Sequence, residues 1–144
     1  MKWPVKLLIG FVAVLVMGWI WHGPAGRGEA FAESLDVQAR ASIAQIEIPN
    51  IQVHIARHPL RRVALMSGTT DPIQRNGMGS EWGLSDYVRH VPGMSGVRWT
   101  DEPGGPGGLP MLVETWILVT LAYAVGLSLG ALLFGRRKRQ SFLD

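Results

Sequence analysis

The chain of 144 residues has about the length of one domain, and 47% of its residues are hydrophobic. It contains no cysteine, which excludes disulfide bonds and thiolate sites. Its formal net charge of +3 arises at the two ends, because residues 25–109 contain eight arginines against nine acidic residues. The basic total therefore does not indicate a nucleic-acid-binding surface, and we expect no nucleic-acid partner.

The first predicted element is an apolar helix. Residues 7–21, LLIGFVAVLVMGWIW, carry no charge and end in tryptophans that suit a membrane interface. We predict an N-terminal transmembrane helix over residues 1–22. A cleavable signal peptide is the alternative, because Lys2 and Lys6 form a basic start and residues 30–32, Ala-Phe-Ala, resemble a cleavage site. That site lies about ten residues beyond the apolar stretch, which favours a retained anchor.

The segment outside this helix is predicted to consist of a linker at residues 23–32, a small domain at 33–101 and a second linker at 102–110. Both linkers are rich in glycine and proline, which is typical of loops or flexible tethers. The domain opens with an amphipathic helix that should end at Pro49-Asn50. Its apolar positions recur at helical spacing: Phe31, Leu35, Ala39, Ile43 and Ile46.

Two strands and a turn should follow. Ile51, Val53 and Ile55 alternate with polar residues, His58-Pro59 makes the turn, and residues 61–68, RRVALMSG, form the second strand.

A second helix should then start at Asp71-Pro72, with Asp71 as its N-cap, and stop at Pro92-Gly93. Three glycines between residues 77 and 83 weaken it, so its start shifts toward Ser80. Residues 96–100, GVRWT, form a third strand. The predicted order is α-β-β-α-β, an α+β domain.

The second apolar helix is longer. Residues 115–135 are uncharged and span roughly 30 Å, the thickness of a bilayer core. We predict a C-terminal transmembrane helix over residues 111–135 and a basic tail at 136–144. Basic flanks mark the cytoplasmic side. Both termini are therefore predicted to be cytoplasmic, and residues 23–109 to be periplasmic, in a bacterial inner membrane. The tail residues expected to bind anionic lipid headgroups are Arg136, Arg137, Lys138 and Arg139.

The second apolar helix also carries a row of small residues. Gly126 and Gly130 form a G-x-x-x-G motif, and with Ala122 and Ser128 they are predicted to pack against another membrane helix. His22, at the outer end of the first helix, stands where light-harvesting helices place a pigment ligand. Nothing else in the sequence resembles those helices, so we expect neither a pigment nor another cofactor.

The outer domain resembles the BON family of small bacterial envelope domains. The matching stretches are IQVHI, ALMSGTT and VPGMSGVRW, over roughly residues 33–100. Ala64, Met66 and Gly68 match the family's strand pattern. Val91, Gly93 and Val97 match the pattern that enters its last strand. The resemblance implies a small envelope domain that binds lipid. Two flanking apolar helices depart from the usual arrangement, in which the domain is soluble or repeated.

Residues 51–68 hold the densest apparent chemistry, with two histidines and three arginines. His54 and His58 have no third ligand near them in sequence, whereas metal sites need three or four. No nucleophile–base motif and no phosphate-binding loop is present. We therefore interpret the hairpin as scaffold, and we expect neither a metal nor enzymatic activity.

The second strand is apolar on both faces. The BON pattern points Ala64 and Met66 inward, which leaves Val63 and Leu65 on the open face of the sheet beside His54. We predict a partner-binding surface there; its residues are Val63, Leu65, His54, Arg61 and Arg62. The alternative is that a linker or the membrane surface covers this face.

Two functions follow. The first is a non-enzymatic accessory subunit of a larger inner-membrane complex of respiratory or photosynthetic type, with other integral membrane subunits and membrane lipids as partners. The alternative is a membrane-anchored phospholipid- or envelope-binding module for envelope maintenance.

Overall fold

A computed structural model of the chain describes residues 3–46 and 48–134. Its elements, in chain order, are α1 (Trp3–His22), α2 (Arg27–Ala44), β1 (Gln52–Arg57), β2 (Leu60–Ser67), α3 (Pro72–Asn76), α4 (Leu84–Arg89), β3 (Gly96–Trp99) and α5 (Met111–Phe134). The basic tail, with the predicted headgroup ligands Arg136, Arg137, Lys138 and Arg139, lies outside the described residues.

Helices α1 and α5 are both long and apolar enough to cross a membrane. They pack against each other through aromatic side chains of α5. Tyr123 donates a hydrogen bond to the Leu7 carbonyl at 2.9 Å, and the Trp116 indole donates to the Leu15 carbonyl at 3.2 Å. Their outward surfaces remain exposed, since Gly18 is the only buried residue in α1 and Met111 the only one in α5.

Glycines of α1 make this close approach possible. A Cβ atom on Gly10 would lie 2.6 Å from the Tyr123 hydroxyl, and one on Gly18 would lie 3.2 Å from the Trp116 ring. Larger residues there would push the helices apart. The small residues at the α1–α5 contact are thus on α1.

A small α/β region with a three-stranded sheet lies between the apolar helices. The strand order is β1-β2-β3, with β1 antiparallel and β3 parallel to β2. The buried core comprises Ala32, Leu35, Ala39, Ile43, Val53, Ile55, Ala64, Met66, Leu84, Val88, Val91, Trp99 and Met111. Ala64 and Met66 are fully buried in it, so their predicted inward direction is confirmed.

The first helix of this region differs from the prediction at both ends. Helix α2 begins at Arg27, inside the predicted linker, and ends at Ala44, before Pro49-Asn50. Gly26, at φ 66°, supplies the left-handed residue that turns the chain between α1 and α2. The linker between the two helices is therefore short, and α2 starts close to the end of α1.

The predicted second helix is two helices. Asp71 caps α3 as expected, because its Oδ1 accepts from the backbone N–H of Ile73 at 2.6 Å and of Gln74 at 3.1 Å. The chain then leaves the helix at Gly77 (φ 75°), where a Cβ would lie 2.2 Å from the Glu81 carbonyl. Helix α4 begins only at Leu84, after this glycine-dependent loop, rather than at Ser80.

Candidate interaction site

The open face of the sheet, opposite α2 and α4, is the predicted partner surface. The register places His54 opposite Leu65 and Leu65 opposite Arg98, so these three positions are neighbours across the strands. Leu65 is half-buried and His54 is exposed. These two predicted residues are therefore brought together on the face where they were expected.

Val63, by contrast, is not available to a partner, because it is only 4% exposed. The predicted second linker, residues 102–110, folds back over it as a strap, and a Cβ on Gly108 would lie 3.0 Å from Val63 Cγ2. The prediction of an exposed Val63 is wrong. Of the two alternatives for what covers this face, a linker or the membrane surface, the linker is the one that covers Val63.

Two arginines that stand on the open face hold the strap. Arg61 Nη1 donates to the carbonyls of Gly107 at 2.7 Å and Gly108 at 2.5 Å. The Arg98 guanidinium donates to the carbonyls of Pro103 and Gly105. Arg61 therefore binds the chain's own backbone, and its role in partner binding stays a prediction.

Arg62 is also engaged within the chain. Its Nε and Nη2 donate to the two carboxylate oxygens of Glu114 at 2.7 and 3.0 Å, and its Nη1 donates to the Gly93 carbonyl at 3.0 Å. The hydrogen bond with Glu114 raises the pKa of Arg62 above its ordinary value. Since Glu114 lies in the first turn of α5, this bidentate pair ties β2 to the start of that helix. Arg62 therefore has a structural contact, and its role in partner binding stays a prediction as well.

The tip of the hairpin has an equivalent tie on the other side. Arg57 pairs with Glu29, and its Nη2 donates to Glu33 Oε2 at 2.7 Å. Both acids lie on α2, which follows directly after α1. Arg57, Arg61 and Arg62 together form what we call the arginine junction, which fixes the hairpin to the chain on either side.

The two histidines of the hairpin are exposed, and one of them lies beside an arginine of α2. Arg40 Nη2 lies 3.1 Å from His54 Nδ1, and Arg40 also pairs with Asp36 at 2.5 Å. His58 is exposed in the turn. Within residues 3–46 and 48–134, no group of three histidine or acidic side chains is arranged to hold a metal ion.

An exposed aromatic cluster on the other side of the domain was not predicted. Trp82 stacks on His90 with 4.1 Å between ring centroids, and Tyr87 meets Trp82 edge-on at 5.4 Å. Trp82 is 52% and Tyr87 40% exposed. The signal available in the sequence is a tryptophan within a polar, glycine-rich loop. Helical spacing from Leu84 and Val88 predicts instead that Tyr87 is buried.

The remaining predicted residues lie on α1 and α5. Within the described part of the chain, nothing approaches within 4 Å of a Cβ built on Gly126 or Gly130. Ser128 bonds its own helix, at the Ala124 carbonyl. Gly126 and Gly130 therefore do not form the contact with α1, and packing of the row of small residues against a helix of another protein remains a prediction. Ala122 lines a groove between α1 and α5, and His22 lines a smaller cavity above that groove.

Comparisons with known proteins found no matching family model, curated protein or solved structure.

Proposed function

We propose that the protein is a non-enzymatic accessory subunit of a larger complex in a bacterial inner membrane. In this proposal α1 and α5 cross the bilayer, both termini are cytoplasmic, and the α/β domain lies on the periplasmic side. The exposed apolar surfaces of the two helices support insertion, because exposing so much apolar surface to water is unfavourable in free energy. The basic flanks of the sequence support the orientation.

The arginine junction supports a presenting role for the outer domain. Its ion pairs join the hairpin to α2 within the domain and to the start of α5, so the Arg62–Glu114 pair holds the domain to an apolar helix. The bidentate Arg62–Glu114 pair is only partly exposed and resists screening by salt better than a surface pair does. A domain held in this way can present one surface to a neighbouring subunit.

The observation that carries the proposal is the exposed aromatic cluster of Trp82, Tyr87 and His90. Tryptophan and tyrosine are enriched at the energetic centres of protein interfaces, because each buries a large area for few rotatable bonds. Ile73 and Met78, from the same stretch of chain, are exposed as well. We propose that this surface docks onto the periplasmic part of another integral membrane subunit.

The test is purification of the full-length protein from its own membranes in a mild detergent, followed by native mass spectrometry. The proposal predicts a stoichiometric complex. Trp82→Ala with Tyr87→Ala should weaken it by at least about 2 kcal/mol, as truncation of interface anchors does.

Two controls accompany this variant. Trp82→Phe retains an aromatic ring and should retain most of the complex, and Val37→Ala alters an exposed apolar residue elsewhere, on α2. A lone protein that carries only lipid would contradict the proposal. It would favour the envelope-binding module that the BON resemblance implies.

A further inference from the structure

A groove runs along the outer surface of the α1–α5 pair. Its volume is about 610 Å³. The side chains that line it are mainly apolar and include Val14, Met17, Leu118, Val119 and Ala122. Because α1 and α5 are the proposed membrane spans, this groove faces the hydrocarbon of the bilayer.

A second cavity of about 190 Å³ adjoins the groove, because Trp21 and Thr115 line both spaces. The second cavity is bordered by His22 and Arg27, at the turn from α1 into α2. The apolar groove therefore lies next to a cavity with a cationic side chain at its edge.

The groove extends through about two thirds of one leaflet of a bilayer. Val14 precedes Trp21 by seven residues, or about 10 Å along a helix, whereas half of a hydrocarbon core is about 15 Å. Trp21 stands where interfacial tryptophans lie, at the end of the span. The groove is thus long enough along α1 to hold most of one acyl chain.

The charge at the upper end selects the headgroup. Arg57, Arg62 and Arg75 each pair with a carboxylate. Among the residues that the structure describes, Arg27 has no such partner. It is exposed, and its guanidinium carbon lies 5.3 Å from the centroid of the Trp21 ring. The nearby carboxylate of Glu29 is paired with Arg57, which leaves the positive charge of Arg27 available to an anion.

We propose that the α1–α5 groove binds one anionic phospholipid of the outer leaflet, with an acyl chain between α1 and α5 and the phosphate at Arg27. The proposal rests on the membrane insertion put forward above. A helix of a partner subunit is the competing occupant, and the experiment separates the two.

The full-length protein, purified in detergent and stripped of lipid, is titrated with phosphatidylglycerol and, separately, with phosphatidylcholine, and native mass spectrometry counts the lipids bound. The wild type should bind one phosphatidylglycerol roughly fivefold more tightly than phosphatidylcholine, which is the effect of one cation near an anionic headgroup. Arg27→Gln should abolish this preference, because it weakens the binding of the anionic lipid more than that of the zwitterionic one. Ala122→Trp, which fills the groove, should weaken the binding of both lipids.

Matched controls keep the outcome interpretable. Arg89→Gln removes an exposed arginine of the outer domain, and Leu129→Trp places the same side chain at an exposed position of α5 outside the groove. Both should bind lipid as the wild type does. Equal affinity for the two lipids in the wild type would overturn the proposal. Ala122→Trp would also overturn the proposal if this variant, isolated from its own membranes, lost a partner protein but still bound lipid.

Alkaline extraction of membranes separates this failure from failure of the proposed function. If alkaline treatment extracts the protein as it would a peripheral protein, both the membrane insertion and the lipid site are contradicted. If it resists extraction and shows no preference for phosphatidylglycerol, only the lipid site is contradicted.

Discussion

Asp36 shows how a single charge is used inside this small domain. Helical periodicity places it on the polar side of α2, yet it is only 2% exposed. Its Oδ1 accepts a hydrogen bond from the Ile55 backbone at 3.0 Å, and its other oxygen pairs with Arg40. Strand β1 is an edge of the sheet, and Asp36 satisfies a backbone N–H there that has no neighbouring strand.

Asp36→Ala should therefore lower the free energy of unfolding by about 1–3 kcal/mol, because the buried Ile55 N–H loses its acceptor. Asp36→Asn keeps an acceptor oxygen of the same shape and should cost less. Thermal unfolding of the full-length protein, followed by tryptophan fluorescence, measures both changes. Equal destabilisation by the two substitutions would mean that the charge, and not the acceptor, is what matters.

Asp101 provides a pH-dependent contact at the far end of β3. Hydrogen bonds from Arg75 lower the pKa of Asp101 below its ordinary value of 3.8. The folded state therefore releases this proton more readily than the unfolded state does. The pair contributes stability above pH 3.8, and this contribution is lost as the pH falls through the folded pKa.

Asp101→Asn should accordingly lower the melting temperature slightly at neutral pH, because the Asp101 carboxylate is exposed and pairs with an exposed partner contribute little. The difference from the wild type should shrink in acid and disappear once Asp101 is protonated in both states. Melting curves of the two proteins across the acidic range test this. A difference that persists unchanged in strong acid would contradict the role assigned to the carboxylate.

At the scale of elements, the strap of residues 102–110 is the main departure from the sequence prediction. Its glycine and proline content correctly excluded a helix or strand, but it also suggested a flexible tether. The strap lies over Val63 because Arg61 and Arg98 bind its carbonyl groups. Arg61 is distant from the strap in sequence, and a turn separates Arg98 from it. Local sequence patterns therefore do not predict that these arginines bind the strap.

The strap can be tested with a single introduced cysteine, since the chain has none of its own. In Val63→Cys the thiol should be protected from maleimide under the strap. Adding Arg61→Ala and Arg98→Ala should raise the labelling rate by about tenfold, which corresponds to an opening free energy lower by about 1.4 kcal/mol. Leu65→Cys, on the same face and partly exposed, is the control. An unchanged rate at Val63 would show that the arginines do not hold the strap.

The elements that were predicted well have local signals. The β1–β2 hairpin follows from alternation on either side of His58-Pro59, and the start of α3 follows from the capping side chain of Asp71. The division between α3 and α4 depends on Gly77 and Gly83 meeting across a loop, where a Cβ on Gly83 would lie 2.2 Å from the Gly77 nitrogen. Such a contact is tertiary, and periodicity cannot reveal it.

For the whole molecule, the residue pattern of the hairpin favours a scaffold but does not predict what the hairpin contacts. Arg61 and Arg62 were predicted to bind a partner, whereas the structure pairs Arg57 and Arg62 with acids of α2 and α5. These pairs join residues more than twenty positions apart, so charge patterning within one element could not predict them. The aromatic cluster was missed for a related reason, since exposure of Trp82 depends on how the loop before α4 folds.

In the topology that we propose, α1 and α5 cross a membrane and place the α/β domain on its outer side. Single cysteines at Ser80, in the loop before α4, and at Asp144 test this topology in intact cells with a membrane-impermeant maleimide. Ser80→Cys should be labelled in intact cells, whereas Asp144→Cys should be labelled only after the membrane is opened. Labelling of Asp144→Cys in intact cells, or protection of Ser80→Cys until the cells are opened, would contradict it.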